Sequence, residues 1–360
     1  MNWLQSFKLK KEANLLDSKL FILKTFLAIS TAYLITSQVD FISKDMISVL
    51  FGLVLTLEPV NTMGIKNGLD QIFASFIGAT ATSIIILLFG VNPITIGASV
   101  AVTLYICLLI NWKNVSVVAL FTAIYMTQYL QLGANGEPSV LLTFELRFAA
   151  LCSGVAVAII YNYLFSMIQY RVISHKRMVY LFKCLLSNMA QTQDALETCE
   201  SEDFQKVRRA LIDTSNNIEW VTSLFDNMNK EAKKQIRILP IQLATIEKTQ
   251  MVIQHMRNIG HLMFDITYVL GEEKVKPDDL REISEDLSGY FSCIMDNMGS
   301  LKNQYEGKGA AKGDVISCQI ESLKIHESPI QNEYAARIER DLRDINKSLK
   351  HIAELDLVRK

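Results

Sequence analysis

From Gln71 to Trp112 the chain carries no Asp, Glu, Lys or Arg, and the same holds from Asn114 to Gly136 and from Phe148 to Tyr170. No soluble domain leaves segments of this length without charge, because its helices must present a polar face to water. The hydrocarbon core of a bilayer is about 30 Å thick and takes about 20 apolar residues per helix. The first run is therefore long enough for two passes around the turn Gly90-Val91-Asn92-Pro93. Each of the others fits one pass.

Two further apolar segments lie upstream. Leu20 to Gln38 is long enough to span, with Lys24 close enough to one end for its stem to reach the interface. Met46 to Leu57, between Lys44-Asp45 and Glu58-Pro59, is short for a span. Topology argues that it crosses. With six spans and the N-terminus inside, Lys8, Lys10, Lys11, Lys19, Lys66, Lys113, Arg171, Lys176, Arg177 and Lys183 all face the cytoplasm, and Lys44 alone stays outside. That distribution obeys the positive-inside rule. Five spans would place the basic N-terminal arm and the basic segment after Tyr170 on opposite sides.

Charge divides the chain in two. Residues 1–169 hold 9 Lys/Arg and 8 Asp/Glu, which leaves 27 of the 36 and 29 of the 37 to residues 170–360. The charged half reads as helices throughout. Met178, Leu181, Leu185 and Met189 form one apolar stripe, Ser201 opens a second helix, Pro240 breaks or kinks a third, and Pro277-Asp278-Asp279 starts a fourth. The stretch from Glu306 to Gly313 lacks the Lys-Ser/Thr pair of a phosphate loop and is expected to be a flexible linker. Residues 314–325 fit a strand or a helix. Beyond them, Ile338, Leu342, Ile345, Leu349 and Ile352 make a heptad seam suited to packing within the bundle or onto a second subunit.

The expected organisation is all-α. A cytoplasmic segment at 1–19 precedes a six-span transmembrane domain at 20–169, then a cytoplasmic helical bundle at 170–305, a linker at 306–313 and a C-terminal segment at 314–360. Leu20 to Gln38 is too far from the start, and too long, for a secretory leader. The cysteines lack metal or redox spacing and are expected to be reduced.

No catalytic constellation is present: the sequence has no Walker loop, no CxxC pair, no HExxH and no paired ExxH. No cofactor, metal or nucleic-acid partner is expected. His261 and Asp265 stand one helical turn apart, which two metal ligands could use, but further ligands are missing and a polar pair is the plainer reading. Lys24 and Arg147 are the informative charges at membrane depth. One reading makes them attractors for an anion along a pathway; the other has Lys24 snorkelling and Arg147 paired with Glu145. Setting Gln71 against Arg147 brings Ala74 onto Ala150, Gly78 onto Gly154, Leu88 onto Leu164 and Phe89 onto Phe165. The third and sixth spans then correspond in two three-helix repeats, an arrangement that builds many transport sites.

Pro59, Gly68, Gln71, Ala74-Ser75 and Gly78, at their spacing, resemble the signature between the second and third spans of the fusaric-acid-resistance (FUSC) and aromatic acid exporter family. Arg147, Gly154, Ala158 and Asn162 resemble that family's last span. The resemblance implies a multi-pass exporter or channel of small organic anions, aromatic ones among the candidates, in a bacterial inner membrane, with both termini cytoplasmic and two subunits. Two departures stand out. Gln71 replaces an arginine of the pattern, and Val60-Asn61-Thr62 stands where proline-threonine is usual. Lys24, Lys66 and Arg147 would then supply the positive charge, with Gln71 as a further pathway candidate. Gly64 and Gly68 are expected to shape a cytoplasmic re-entry into the third span. The rival reading is a non-transporting scaffold whose spans only anchor a partner-binding bundle.

Overall fold

The structure, a computed structural model, describes residues 18–110, 116–128, 130–132, 137–198, 201–234, 240–271, 277–306 and 329–357. The expected N-terminal segment to residue 17, the linker from residue 307, and the ambiguous stretch 314–325 lie outside the described residues. Among those described, the chain is helical except for one short antiparallel pairing of Gln131–Leu132 (β1) with Pro138–Ser139 (β2). It divides into two compact units, with the boundary between Tyr170 and Arg171.

The first unit holds α1 (Ser18–Ser37), α2 (Asp40–Ser43), α3 (Met46–Thr56), α4 (Asn61–Phe89), α5 (Pro93–Leu109), α6 (Ser116–Gln128) and the N-terminal part of α7 (Val140–Thr198). Its helix ends follow from local chemistry. The Asp45 carboxylate caps α3, accepting from the Ser48 amide at 3.2 Å and the Ser48 hydroxyl at 2.7 Å. Gly90, with φ of 68°, ends α4 in a conformation that side chains disfavour. Asn92 then caps α5 by accepting from the amides of Ile94 and Thr95, the Thr95 hydroxyl accepts from the Asn92 amide, and Pro93 takes the first helical position.

The outside of this unit is apolar. Ile22, Phe26, Phe73, Ile84, Leu87 and Leu88 are all exposed, whereas α4 buries Asn61, Gln71, Ser75 and Thr82. A helix that turns its large apolar residues outward and its small polar ones inward suits lipid, not water. By length and composition Lys19–Ser37, Asn61–Phe89 and Val140–Ser166 can each cross a membrane, and Met46–Thr56, Pro93–Leu109 and Val117–Thr127 are shorter apolar helices.

Gly64 and Gly68, expected to shape the re-entry into the third span, are part of the helix itself. They lie inside α4, which begins at Asn61, and both face inward. The helix wins because each glycine admits a neighbour that a side chain would exclude: a Cβ at Gly64 would run into the Asn162 amide, and one at Gly68 would come within 2.7 Å of Val155 Cγ1. The last apolar helix also starts earlier than the charge-free run suggests, at Val140, so Arg147 sits two turns inside it.

The second unit contains the rest of α7 with α8 (Ser201–Lys234), α9 (Pro240–Leu270), α10 (Pro277–Glu306) and α11 (Pro329–Leu357). The stripe Met178, Leu181, Leu185 and Met189 is fully buried. So is the heptad row Ile338, Leu342, Ile345, Leu349 and Ile352; α11 packs on α9 and α10 within the one chain. One expectation is corrected: Cys293 is disulfide-bonded, while Cys107, Cys152 and Cys184 are in no disulfide. Spacing along the chain does not reveal which thiols the bundle brings together.

Candidate functional site

The short helix α3 organises the first unit, because both of its ends are tied by buried polar side chains. An α-helix leaves its last carbonyls without partners. Here Asn162 Nδ2 donates to the Thr56 carbonyl at 2.8 Å, and Lys24 Nζ donates to the Glu58 carbonyl at 2.6 Å. Asn162 Oδ1 accepts from both Lys24 Nζ, at 2.9 Å, and the Glu58 amide, at 3.1 Å. Lys24 and Asn162 are both 0% exposed, so water replaces none of these bonds. Pro59, also buried, follows at once and keeps the helix from continuing.

At the opposite end, the Asp45 carboxylate meets Arg147 with Nε to Oδ2 of 3.6 Å, and Arg147 Nη2 donates to the Ser48 hydroxyl at 3.1 Å. The Tyr125 hydroxyl donates to Asp45 Oδ1 at 3.2 Å, and the Arg147 guanidinium lies over the Tyr125 ring, 3.2 Å from its centre. The anion sits at the N-terminus of α3 and the Lys24 ammonium at its C-terminus, so both charges complement the helix dipole. Eleven residues of helix, about 16 Å, separate the two clusters.

Lys24 and Arg147 are thus not brought together. Each has a structural assignment at its own end of α3, and the Arg147 partner is Asp45 rather than Glu145. Lys66 is exposed on α4. Gln71 is buried; its Nε2 donates to the Thr56 hydroxyl at 3.3 Å, while its Oε1 has no partner.

The glycines aligned by the internal repeat have matching surroundings. Gly78 lies against the backbone of Ala119 in α6, and Gly154 against the backbone of Val49 in α3; a Cβ at either would strike the facing carbonyl oxygen. The third apolar helix packs on the fifth as the sixth packs on the second. Small residues permit this approach of two backbones, the usual device of helix contacts in lipid.

Two members of these clusters, Asp45 and Tyr125, escape the sequence reading, and a third, Asn162, is marked by it only through the family resemblance. Asp45 has a signal in retrospect, as an acid followed three residues later by serine just before an apolar run. Tyr125 has none, since no local pattern sets an aromatic ring in a charge-free helix apart. The role of Asn162 comes only from its neighbours 104 to 138 residues away.

In the second unit, His261 lines a shallow cleft between α9 and α11 together with His255, Asp344, Lys347 and His351. Among the described residues no group of three or more His, Cys, Asp and Glu is placed to hold a metal ion.

An outer surface of apolar side chains around a charge-bearing, polar interior defines a membrane protein. Residues 19–165 match the family described as aromatic acid exporter family member 1, so this part of the chain is similar to that family. None of the curated proteins matches the chain.

Proposed function

We propose that this protein moves small organic anions across a bacterial inner membrane, driven by an ion or substrate gradient, through a domain of six membrane-crossing helices. The observation that carries this reading is α3. It is about half as long as a hydrocarbon core is thick, and the backbone groups at its two ends are satisfied by buried side chains, Lys24 and Asn162 at one end and Asp45, paired with Arg147, at the other. Interrupted helices of this kind are where secondary transporters place their sites, between two repeats of opposite topology. The family match over residues 19–165 supports the anionic substrate. The two three-helix repeats, the cytoplasmic placement of the second unit and of both termini, and a dimeric assembly belong to the same reading.

Reconstitution tests it. Proteoliposomes loaded with a panel of aromatic, monocarboxylic and dicarboxylic acids should release at least one acid faster than empty-membrane controls, with a rate that follows an imposed ion or substrate gradient. Release at the control rate for the whole panel overturns transport and leaves the anchored-scaffold reading in its place.

A further inference from the structure

Threonines inside helices ordinarily satisfy their hydroxyl on the carbonyl one turn back. Those of this protein do so at Thr36, Thr122, Thr143, Thr192 and Thr249. Of the twelve buried threonines among the described residues, only Thr82 and Thr103 have hydroxyls with no hydrogen-bond partner. Both are 0% exposed. They stand on the two arms of one hairpin, α4 and α5, which pack against each other and against α6.

Their helix faces share a chemistry. On α4 the inward row runs Gln71, Ser75, Gly78, Thr82; on α5 it runs Thr95, Ser99, Thr103, Cys107. Ser75 shares a 3.2 Å hydrogen bond with Thr122 of α6, which extends the polar face to a third helix. No charged side chain occurs on these rows. An unpartnered buried hydroxyl is costly, and polar atoms are left so inside a membrane unit where they serve water or a passing ligand. Lys24 and Arg147 instead hold the two ends of α3, with Arg147 Nη1 left without a hydrogen-bond partner.

We propose that the substrate path follows this uncharged face of α4 and α5, where the hydroxyls of Thr82 and Thr103 donate to a small carboxylate while the buried cations hold helices in place. The proposal rests on the transport reading above and names its site. A site of neutral donors binds an anion without neutralising it, so the anion can leave again. The glycine contact at Gly78 keeps the face closed in this conformation and lets α4 shift against α6 with little side-chain obstruction.

Thr82→Val and Thr103→Val keep the shape and remove the hydroxyl. Each should lower release of the transported acid at least tenfold in proteoliposomes while the melting temperature stays equal or rises, and Thr82→Ser and Thr103→Ser should restore transport. Full transport in both valine variants overturns the proposal. A second arm does not need transport: in a cysteine-free background, Thr82→Cys and Thr103→Cys should react with a small anionic methanethiosulfonate in intact membranes, faster than Ala28→Cys in the separate core around α3. Reaction no faster than at Ala28→Cys overturns the path. If the wild type moves none of the acids, the transport reading fails by itself, and the labelling rates still decide for or against an anion-accessible face.

Discussion

Lys24 and Asn162 stand 138 residues apart in the chain and share a 2.9 Å hydrogen bond with no exposure to water. That bond joins the first apolar helix to the last through the end of α3, because the same Asn162 also holds the Thr56 carbonyl and the Glu58 amide. One carboxamide therefore satisfies the C-terminus of a helix and a buried cation together.

Asn162→Ala should consequently be among the most damaging substitutions of a neutral residue. It leaves a buried ammonium short of an acceptor and two backbone groups unpaired, a loss of roughly 3 kcal/mol. Thermal unfolding of the detergent-solubilised protein should show a clear drop in midpoint. An unchanged midpoint would mean that Asn162 is a bystander.

Asp45 and Arg147 should depend on each other. Removing one partner of a buried pair costs about 3–5 kcal/mol because the other is stranded, whereas removing both costs less. Asp45→Asn and Arg147→Gln should each lower the unfolding midpoint strongly, and the double variant should recover a large part of the loss. Additive losses would show that the two groups are not coupled.

Glycine tolerance should follow the local space. Gly78→Ala and Gly154→Ala push a methyl group into the facing carbonyls of Ala119 and Val49 and should sharply reduce the yield of folded protein. Gly97→Ala meets nothing within 4 Å and should be neutral, with a small gain possible from helix propensity. Equal yields for all three would contradict the packing described.

The docking of α11 on α9 should depend on pH from both sides. His255, its Nδ1 buried without a partner and its ring 5.3 Å from that of His351, titrates below the ordinary histidine value because burial and the second imidazole disfavour its charge. The unfolded chain then binds the extra proton more readily, so this contribution is present above about pH 6.5 and is lost as pH falls below it. Asp341 is shifted up by burial and by Asp265, against the pull of Arg340 and Arg337. The folded chain holds that proton longer, so stability falls as pH rises from about 3.8 through the raised value. Protection from hydrogen exchange over residues 338–352 of the full-length protein, corrected for the intrinsic pH dependence of exchange, should therefore be weakest between these limits. His255→Gln should remove the loss of protection as pH falls below about 6.5; an unchanged loss there would remove His255 from the explanation.

Sequence alone determined the class of this protein. Runs without charge, the positive-inside distribution and the abrupt rise in charge after Tyr170 specify apolar helices followed by a bundle, since these are bulk transfer energies that need no knowledge of neighbours. Gly78 and Gly154, which the aligned repeat sets in register, both lie at close backbone contacts between helices. Tertiary structure decided what each marked residue does. Lys24 and Arg147 read alike in sequence, as cations near span ends, but folding assigned them to opposite ends of α3 with different partners. Gly64 and Gly68 read as shaping the re-entry into the third span and proved to be close helix contacts, because Asn162 and Val155 arrive from a helix about a hundred residues away. Thr82 and Thr103 carry no sequence signal at all. Whether a buried hydroxyl has a partner depends on geometry within about 3 Å, which no pattern of residue types encodes.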